Sequence, residues 1–143
     1  MLESTFMITI LLLLTMVSAQ ALPPKDDPPK NDPNGIWQSD TGTKFEMKLT
    51  DKNLKVQLVS GSNPVYLKYE VDLTNTGEVN TYAGNGYFVA KVKEKECRFD
   101  TSWHIIVVLP ETIAGYISHI VPDPVSCEVK DRGDEFTQLK KVK

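Results

Sequence analysis

Val65-Tyr66-Leu67-Lys68-Tyr69-Glu70-Val71-Asp72-Leu73 places Val65, Leu67, Tyr69, Val71 and Leu73 on one face and Tyr66, Lys68, Glu70 and Asp72 on the other. A period of two over nine residues is the signature of a half-buried β-strand. Gly61-Ser62-Asn63-Pro64 before it and Asn75-Thr76-Gly77 after it carry turn chemistry. Upstream, 45–49 (FEMKL) and 54–58 (LKVQL) repeat the alternation, with Asp51-Lys52-Asn53 as a short hairpin turn between them. Downstream, strands are predicted over 86–93, 96–109, 112–120, 125–130 and 135–142. Pro110 and the Pro122-Asp123-Pro124 corner punctuate this group. A further strand lies near Ile36, and no segment shows a useful helical period.

The strands number about eight, each joined to the next by a short connection. A sheet of this kind must cover its two edges, and closing into an up-and-down barrel is the usual solution. The expected fold class is therefore all-β, an eight-stranded antiparallel meander barrel, with a β-sandwich as the alternative. Small eight-stranded barrels can hold one ligand inside, and function is sought there.

Composition limits the function classes. The chain has 143 residues, 41% hydrophobic and 24% charged, with a net charge of −3. It is an ordinary globular composition that excludes a collagen-like, coiled-coil or polytopic membrane chain. The acidic balance argues against a nucleic-acid binder working through a basic surface. No nucleophile elbow, phosphate-cradling glycine loop or H-E-x-x-H motif occurs, so an enzyme is not expected. The two cysteines and two histidines, His104 and His119, make no convincing metal site, and no cofactor is implied.

Two N-terminal segments are set apart from the barrel domain, 35–143. Residues 6–19 read FMITILLLLTMVSA, an apolar run shorter than the roughly 20 residues of a membrane span. Small residues end it, so 1–19 reads as a secretory signal peptide, with cleavage after 19 or 21. Its n-region holds Glu3 and no Lys or Arg. A buried N-terminal helix or short anchor is the alternative. Residues 22–34 (LPPKDDPPKNDPN) hold five prolines among charges and read as a disordered, extended arm. A secreted, extracellular location follows from the leader. Cys97 and Cys127 are then expected to form one disulfide, closing a loop of about 30 residues worth roughly 3 kcal/mol.

Four motifs in order extend this reading. Gly35-Ile36-Trp37-Gln38-Ser39-Asp40-Thr41-Gly42-Thr43 resembles the opening strand of the avidin and streptavidin family, G-x-W-x-N-[DE]-x-G-S. The wider calycin group, lipocalins included, shares the G-x-W part. Phe99-Asp100-Thr101-Ser102-Trp103 resembles a family strand that ends in tryptophan, and Thr112-Ile113-Ala114-Gly115-Tyr116 one that carries a glycine. Asp134-Glu135-Phe136-Thr137-Gln138-Leu139 is similar to the closing strand. The resemblance spans almost all of 35–143.

The resemblance implies a cup for biotin or a more apolar relative, and a homo-oligomer built through barrel-side contacts. It places Ser39 at the family's asparagine donor, Thr43 at a serine, Trp103 at a wall tryptophan and Asp134 at an aspartate acceptor. A buried site of that type must pair the ureido carbonyl and N–H groups, because each one left unmatched costs roughly 1–3 kcal/mol. This chain departs from the pattern in ways that make the expected pocket less polar. Ser39 is shorter than asparagine, and Leu58 and Val59 stand where a tyrosine is expected. Ile105-Ile106-Val107-Val108-Leu109 follows Trp103, Ile113 holds a tryptophan position, and the late tryptophan is absent.

Each residue also has a plainer reading. Trp37 and Trp103 can be core, Ser39 and Thr43 can be turn residues bonding their own backbone, and Asp134 can be a solvated turn charge. Asp134 also completes Arg132-Gly133-Asp134, which integrins recognise when exposed in a loop. The alternatives to a ligand cup are therefore an extracellular adhesive or structural protein using that tripeptide, and a lipocalin-type carrier of an apolar ligand.

Overall fold

The computed structural model describes residues 31–61, 66–109 and 111–143. The segments read as signal peptide (1–19) and most of the arm (22–30) lie outside the described residues, as do 62–65 of the predicted turn and Pro110. Among the described residues, eight strands follow one another: β1 (Gly35–Ser39), β2 (Lys44–Thr50), β3 (Asn53–Ser60), β4 (Tyr66–Asn75), β5 (Thr81–Val92), β6 (Lys95–Leu109), β7 (Thr112–Pro122) and β8 (Val129–Lys141). Each pairs antiparallel with its sequence neighbour, and β1 closes on β8 through Trp37↔Lys141, Gln38↔Lys140 and Ser39↔Leu139. The chain is an all-β, closed, eight-stranded up-and-down barrel, the architecture expected from the alternation and consistent with an avidin-like or calycin-like fold. No helix of the described residues is long and apolar enough to cross a membrane.

Alternation decides what fills the barrel. Met47, Leu54, Val56, Val71, Leu73, Ile105, Val107, Ile113 and Leu139 point inward and are fully buried beside Trp37. Ile106 and Val108, alternating with Ile105 and Val107, face outward and are exposed, so 105–108 of the apolar run after Trp103 is half core and half surface. Gly84 and Gly86 stand opposite the inward-facing Leu73 and Val71. A Cβ there would strike the Asp72 and Glu70 carbonyls on β4, so only glycine lets β4 and β5 approach as this tightly coiled wall requires.

Three boundaries differ from the sequence reading. Most of the predicted strand at 125–130 is instead the β7–β8 connection; its last two residues open β8, which runs on without a break through the predicted 135–142 strand and pairs with β7 from Pro122↔Val129 to Thr112↔Lys140. Gly133 sits in that ladder opposite His119. β5 begins at Thr81 rather than 86. The last residues of the arm are ordered. Trp37 Nε1 donates to the Pro33 carbonyl at 2.7 Å, the Leu49 N–H donates to Asn34 Oδ1 at 2.7 Å, and Asn31 Nδ2 donates to the Val107 carbonyl at 2.8 Å. Residues 31–34 thus seal one end of the barrel, which the proline-rich composition did not predict.

Cys97 and Cys127 form the expected disulfide, 5.5 Å apart at Cα. It braces the other end. The β6–β7 ladder runs from Leu109↔Thr112 to Trp103↔Ile117. Beyond it the Ser118 hydroxyl accepts the Ser102 N–H at 3.0 Å and lies 3.3 Å from the Ser102 carbonyl, bridging the seam. The disulfide then ties the start of β6 to the β7–β8 connection. That connection is itself held by Asp123. Its Oδ1 accepts the Val125 and Ser126 N–H groups, its Oδ2 meets Lys130 Nζ at 2.9 Å, and these partners hold its carboxyl well below the usual carboxylate range.

Candidate functional site

The braced end is hollow. A cavity of about 300 Å³ opens there, lined by Ser39, Thr43, Trp103 and side chains from both walls of the barrel. That volume is at the small end of the range for ligand pockets.

The floor of the cavity is aromatic. Phe45, Tyr69, Phe88 and Trp103 reach it from β2, β4, β5 and β6, and their positions follow from the strand alternation. Phe45 meets Tyr69 and Trp103 edge-on, each at 5.3 Å between ring centroids, while Tyr69 and Phe88 stack at 5.2 Å. Trp103 Nε1 donates to the Tyr69 hydroxyl at 3.3 Å, which also lies 3.4 Å from Thr101 Oγ1. The polar atoms of the floor therefore pair with one another. Burial pushes the Tyr69 phenol up, and the hydrogen bonds from Thr101 and Trp103 only partly offset this.

Tyr66 is the largest departure from the alternation. The ladder between β4 and β5 shifts register between Tyr66 and Lys68. Such a bulge reverses the facing of what precedes it. Leu67, expected inside, is exposed, and Tyr66, expected outside, lines the cavity. Its ring packs against Tyr69 at 6.0 Å and Phe88 at 5.6 Å. Burial pushes its phenol up, and the negative charge of Glu135 on β8 adds to the effect. Tyr66 and Glu135 therefore lie near each other at the mouth.

The four sequence-derived site residues divide three to one. Ser39, Thr43 and Trp103 line the cavity together. Ser39 is also a turn residue, as its plainer reading held: its Oγ accepts the Thr43 N–H at 3.1 Å and lies 2.8 Å from Thr41 Oγ1. Thr43 is buried and Trp103 is almost completely so. Asp134 does not join them. It is exposed, pairs in register with Ser118, and lines a groove on the outer wall with His104 and Tyr116. The inward positions of β8 are its neighbours Glu135 and Thr137, which line the cavity, and the buried Leu139. In a strand, a shift of one residue moves a side chain to the opposite face, so sequence position alone misplaced the carboxylate.

Arg132-Gly133-Asp134 is not in a loop either. All three residues are paired in the β7–β8 ladder, opposite Ile120, His119 and Ser118. Its charged side chains both stand on the outer wall, Arg132 in one groove and Asp134 in the next.

The rim supplies the cavity's charges. Asp40 stands on the β1–β2 turn, and His119 Nδ1 lies 3.2 Å from Glu135 Oε2. Among the described residues, no group of three or more His, Cys, Asp and Glu could hold a metal ion. The arrangement offers an aromatic and aliphatic enclosure, a ring of hydroxyls and a few ionisable groups at the entrance. The sequence matches no protein-family model, no curated protein and no solved structure.

Proposed function

We propose that this chain is a secreted, non-enzymatic binding protein that holds a small, mostly apolar ligand in the barrel cup. The cavity carries this reading. An aromatic-floored hollow of about 300 Å³ in an otherwise filled barrel leaves apolar surface that a ligand can cover. The avidin-like motifs support a ring-bearing ligand of biotin's size. The self-paired hydroxyls of Tyr69 and Thr101 support one more apolar than biotin, because few polar atoms on the floor are left to receive a ureido group. The disulfide and the leader-like N-terminus support an extracellular setting.

Homo-oligomerisation is part of the proposal. Tyr116 and Phe136, both exposed, meet edge-on at 5.7 Å on the outer wall of β7 and β8, near exposed Ile106 and Val108 on β6. An apolar patch of this kind suits a barrel-to-barrel contact. Phe136→Arg should then shift the sedimenting species to monomer.

Titrating the secreted chain with biotin and with small aromatic compounds tests the cup. Tryptophan fluorescence should change and the melting temperature should rise with ligand concentration. The fluorescence change should be lost in Trp103→Phe. No response to any of these compounds at millimolar concentration would remove the proposal.

A further inference from the structure

We infer that the cup selects an organic cation, an ammonium head on an apolar or aromatic body, over a carboxylate ligand. This rests on the proposed cup and specifies the charge of what enters it.

The first observation is the sign of the lining. Asp40 and Glu135 line the cavity and, among the described residues, neither Lys nor Arg does. His119 is the remaining ionisable group besides the tyrosines, and a neutral imidazole leaves both carboxylates uncompensated. Lys44 and Lys93, next in sequence to the lining Thr43 and Val92, do not line the cavity, and several other cations of the neighbouring strands are engaged elsewhere. Lys68 pairs with Glu70 at 3.5 Å and lies over the Tyr87 ring, Lys91 pairs with Glu94 at 3.8 Å, and Lys130 pairs with Asp123. Arg132 lines the outer groove and Arg98 packs 3.7 Å above the Tyr87 ring. A carboxylate ligand would therefore bring a third negative charge to a lining that holds two carboxylates and, among the described residues, no lysine or arginine.

The second observation is the ring arrangement. Aromatic faces carry negative quadrupole density, and a desolvated cation is attracted to them. Tyr66 is the ring that remains partly exposed at the mouth, and it is also the ring that feels Glu135. An ammonium head can lie beside Tyr66 and Glu135, with the Asp40 charge elsewhere on the rim, while its body fills the space above Phe45, Phe88 and Trp103. The carboxylates are solvent-facing and hydrated, with the Glu135 side chain 69% exposed. They can attract a cation without bearing the cost of a buried unpaired charge.

The test compares three probes of similar size on the secreted chain, namely benzyltrimethylammonium, benzyl alcohol and phenylacetate. All three are followed by fluorescence titration at pH 8. The cation should bind at least about tenfold more tightly than the carboxylate, with an affinity that falls as salt rises. Glu135→Gln and Asp40→Asn should each weaken the cation about three- to tenfold and leave benzyl alcohol unchanged. The salt dependence is read on the unmodified protein, so it stands even if a variant folds poorly. Phenylacetate or biotin binding as tightly as the cation, or a cation affinity indifferent to salt and to both substitutions, overturns the charge selectivity and leaves the cup intact. Binding of none of the three, nor of biotin, overturns the cup itself and this inference with it.

Discussion

Trp103 donates its indole N–H to the Tyr69 hydroxyl at 3.3 Å, joining β6 to β4 across the floor of the cup. Both side chains are buried, so the hydroxyl and the N–H have exchanged water for each other. Tyr69→Phe keeps the ring stack on Phe88 and removes that partner. A buried N–H without an acceptor costs about 1–3 kcal/mol, and the loss should appear in urea unfolding with an unchanged m value.

The same residue sets an alkaline limit. Burial raises the Tyr69 phenol above its usual range, and Tyr66 is raised in the same direction. The fold therefore holds the protonated form more tightly than the unfolded chain does. Its stabilising effect is complete below the unfolded tyrosine pKa of about 10 and is lost as pH rises through the folded value. Unfolding free energy measured at pH 8, 10 and 11 should fall less steeply in Tyr69→Phe than in the unmodified chain. Parallel declines would contradict the assignment.

The disulfide stands where the β6–β7 ladder has ended, so its removal should loosen one region more than the rest. Replacing Cys97 and Cys127 together by serine should cost roughly 3–4 kcal/mol in the chain-entropy model. Hydrogen exchange should quicken most at 118–122 and 127–130, and least along 103–109, where the ladder is intact. Uniform acceleration would show that the bridge acts only on the unfolded chain.

Glycines in the sheet should divide sharply. Gly84→Ala and Gly86→Ala drive a Cβ into the Asp72 and Glu70 carbonyls and the Cα atoms of Leu73 and Val71. Each should destabilise by at least about 2 kcal/mol, since the obstacle is backbone rather than a side chain that can turn away. Gly133→Ala meets nothing within 4 Å and should be neutral or slightly stabilising in a melting experiment. A costly Gly133→Ala would mean that β8 is not the continuous strand seen here.

Gly133 also shows where the sequence was hard to read. The strands were legible because alternation survives in FEMKL, LKVQL and the run ending at Leu73. It placed Tyr69 inside without help from any motif. What failed was parity after an irregularity. A bulge near Leu67 has no marker residue, so Tyr66 was read on the wrong face. Asp134 and Glu135 differ only in which side of β8 they take, and a glycine suggested a turn where the β7 ladder runs straight through. The hollow was not legible in any single strand, because it depends on rings from four strands, β2, β4, β5 and β6, leaving a gap at one end. The ordered arm was hidden for a different reason: its composition favours disorder, and its acceptor role is carried by a backbone carbonyl that any residue possesses.

That carbonyl leads to the last expectation. Trp37 is fully buried, and its N–H is satisfied by Pro33, four residues upstream and outside the barrel. Lys141 adds a cationic cover 5.3 Å from the ring while donating to the Asp32 carbonyl at 3.2 Å. A chain beginning at Gly35 would keep all eight strands and lose the acceptor, leaving the indole N–H unpaired at a cost of about 1–3 kcal/mol. Trp37→Phe removes the N–H itself, at the price of lost packing. If the arm acts through this bond, Trp37→Phe must cost less in the shortened chain than in the long one. The coupling in a double-mutant cycle should be at least about 1 kcal/mol. Strict additivity would mean that 31–34 cover the barrel end without pairing the tryptophan, and the arm would then be a lid of apolar contact alone.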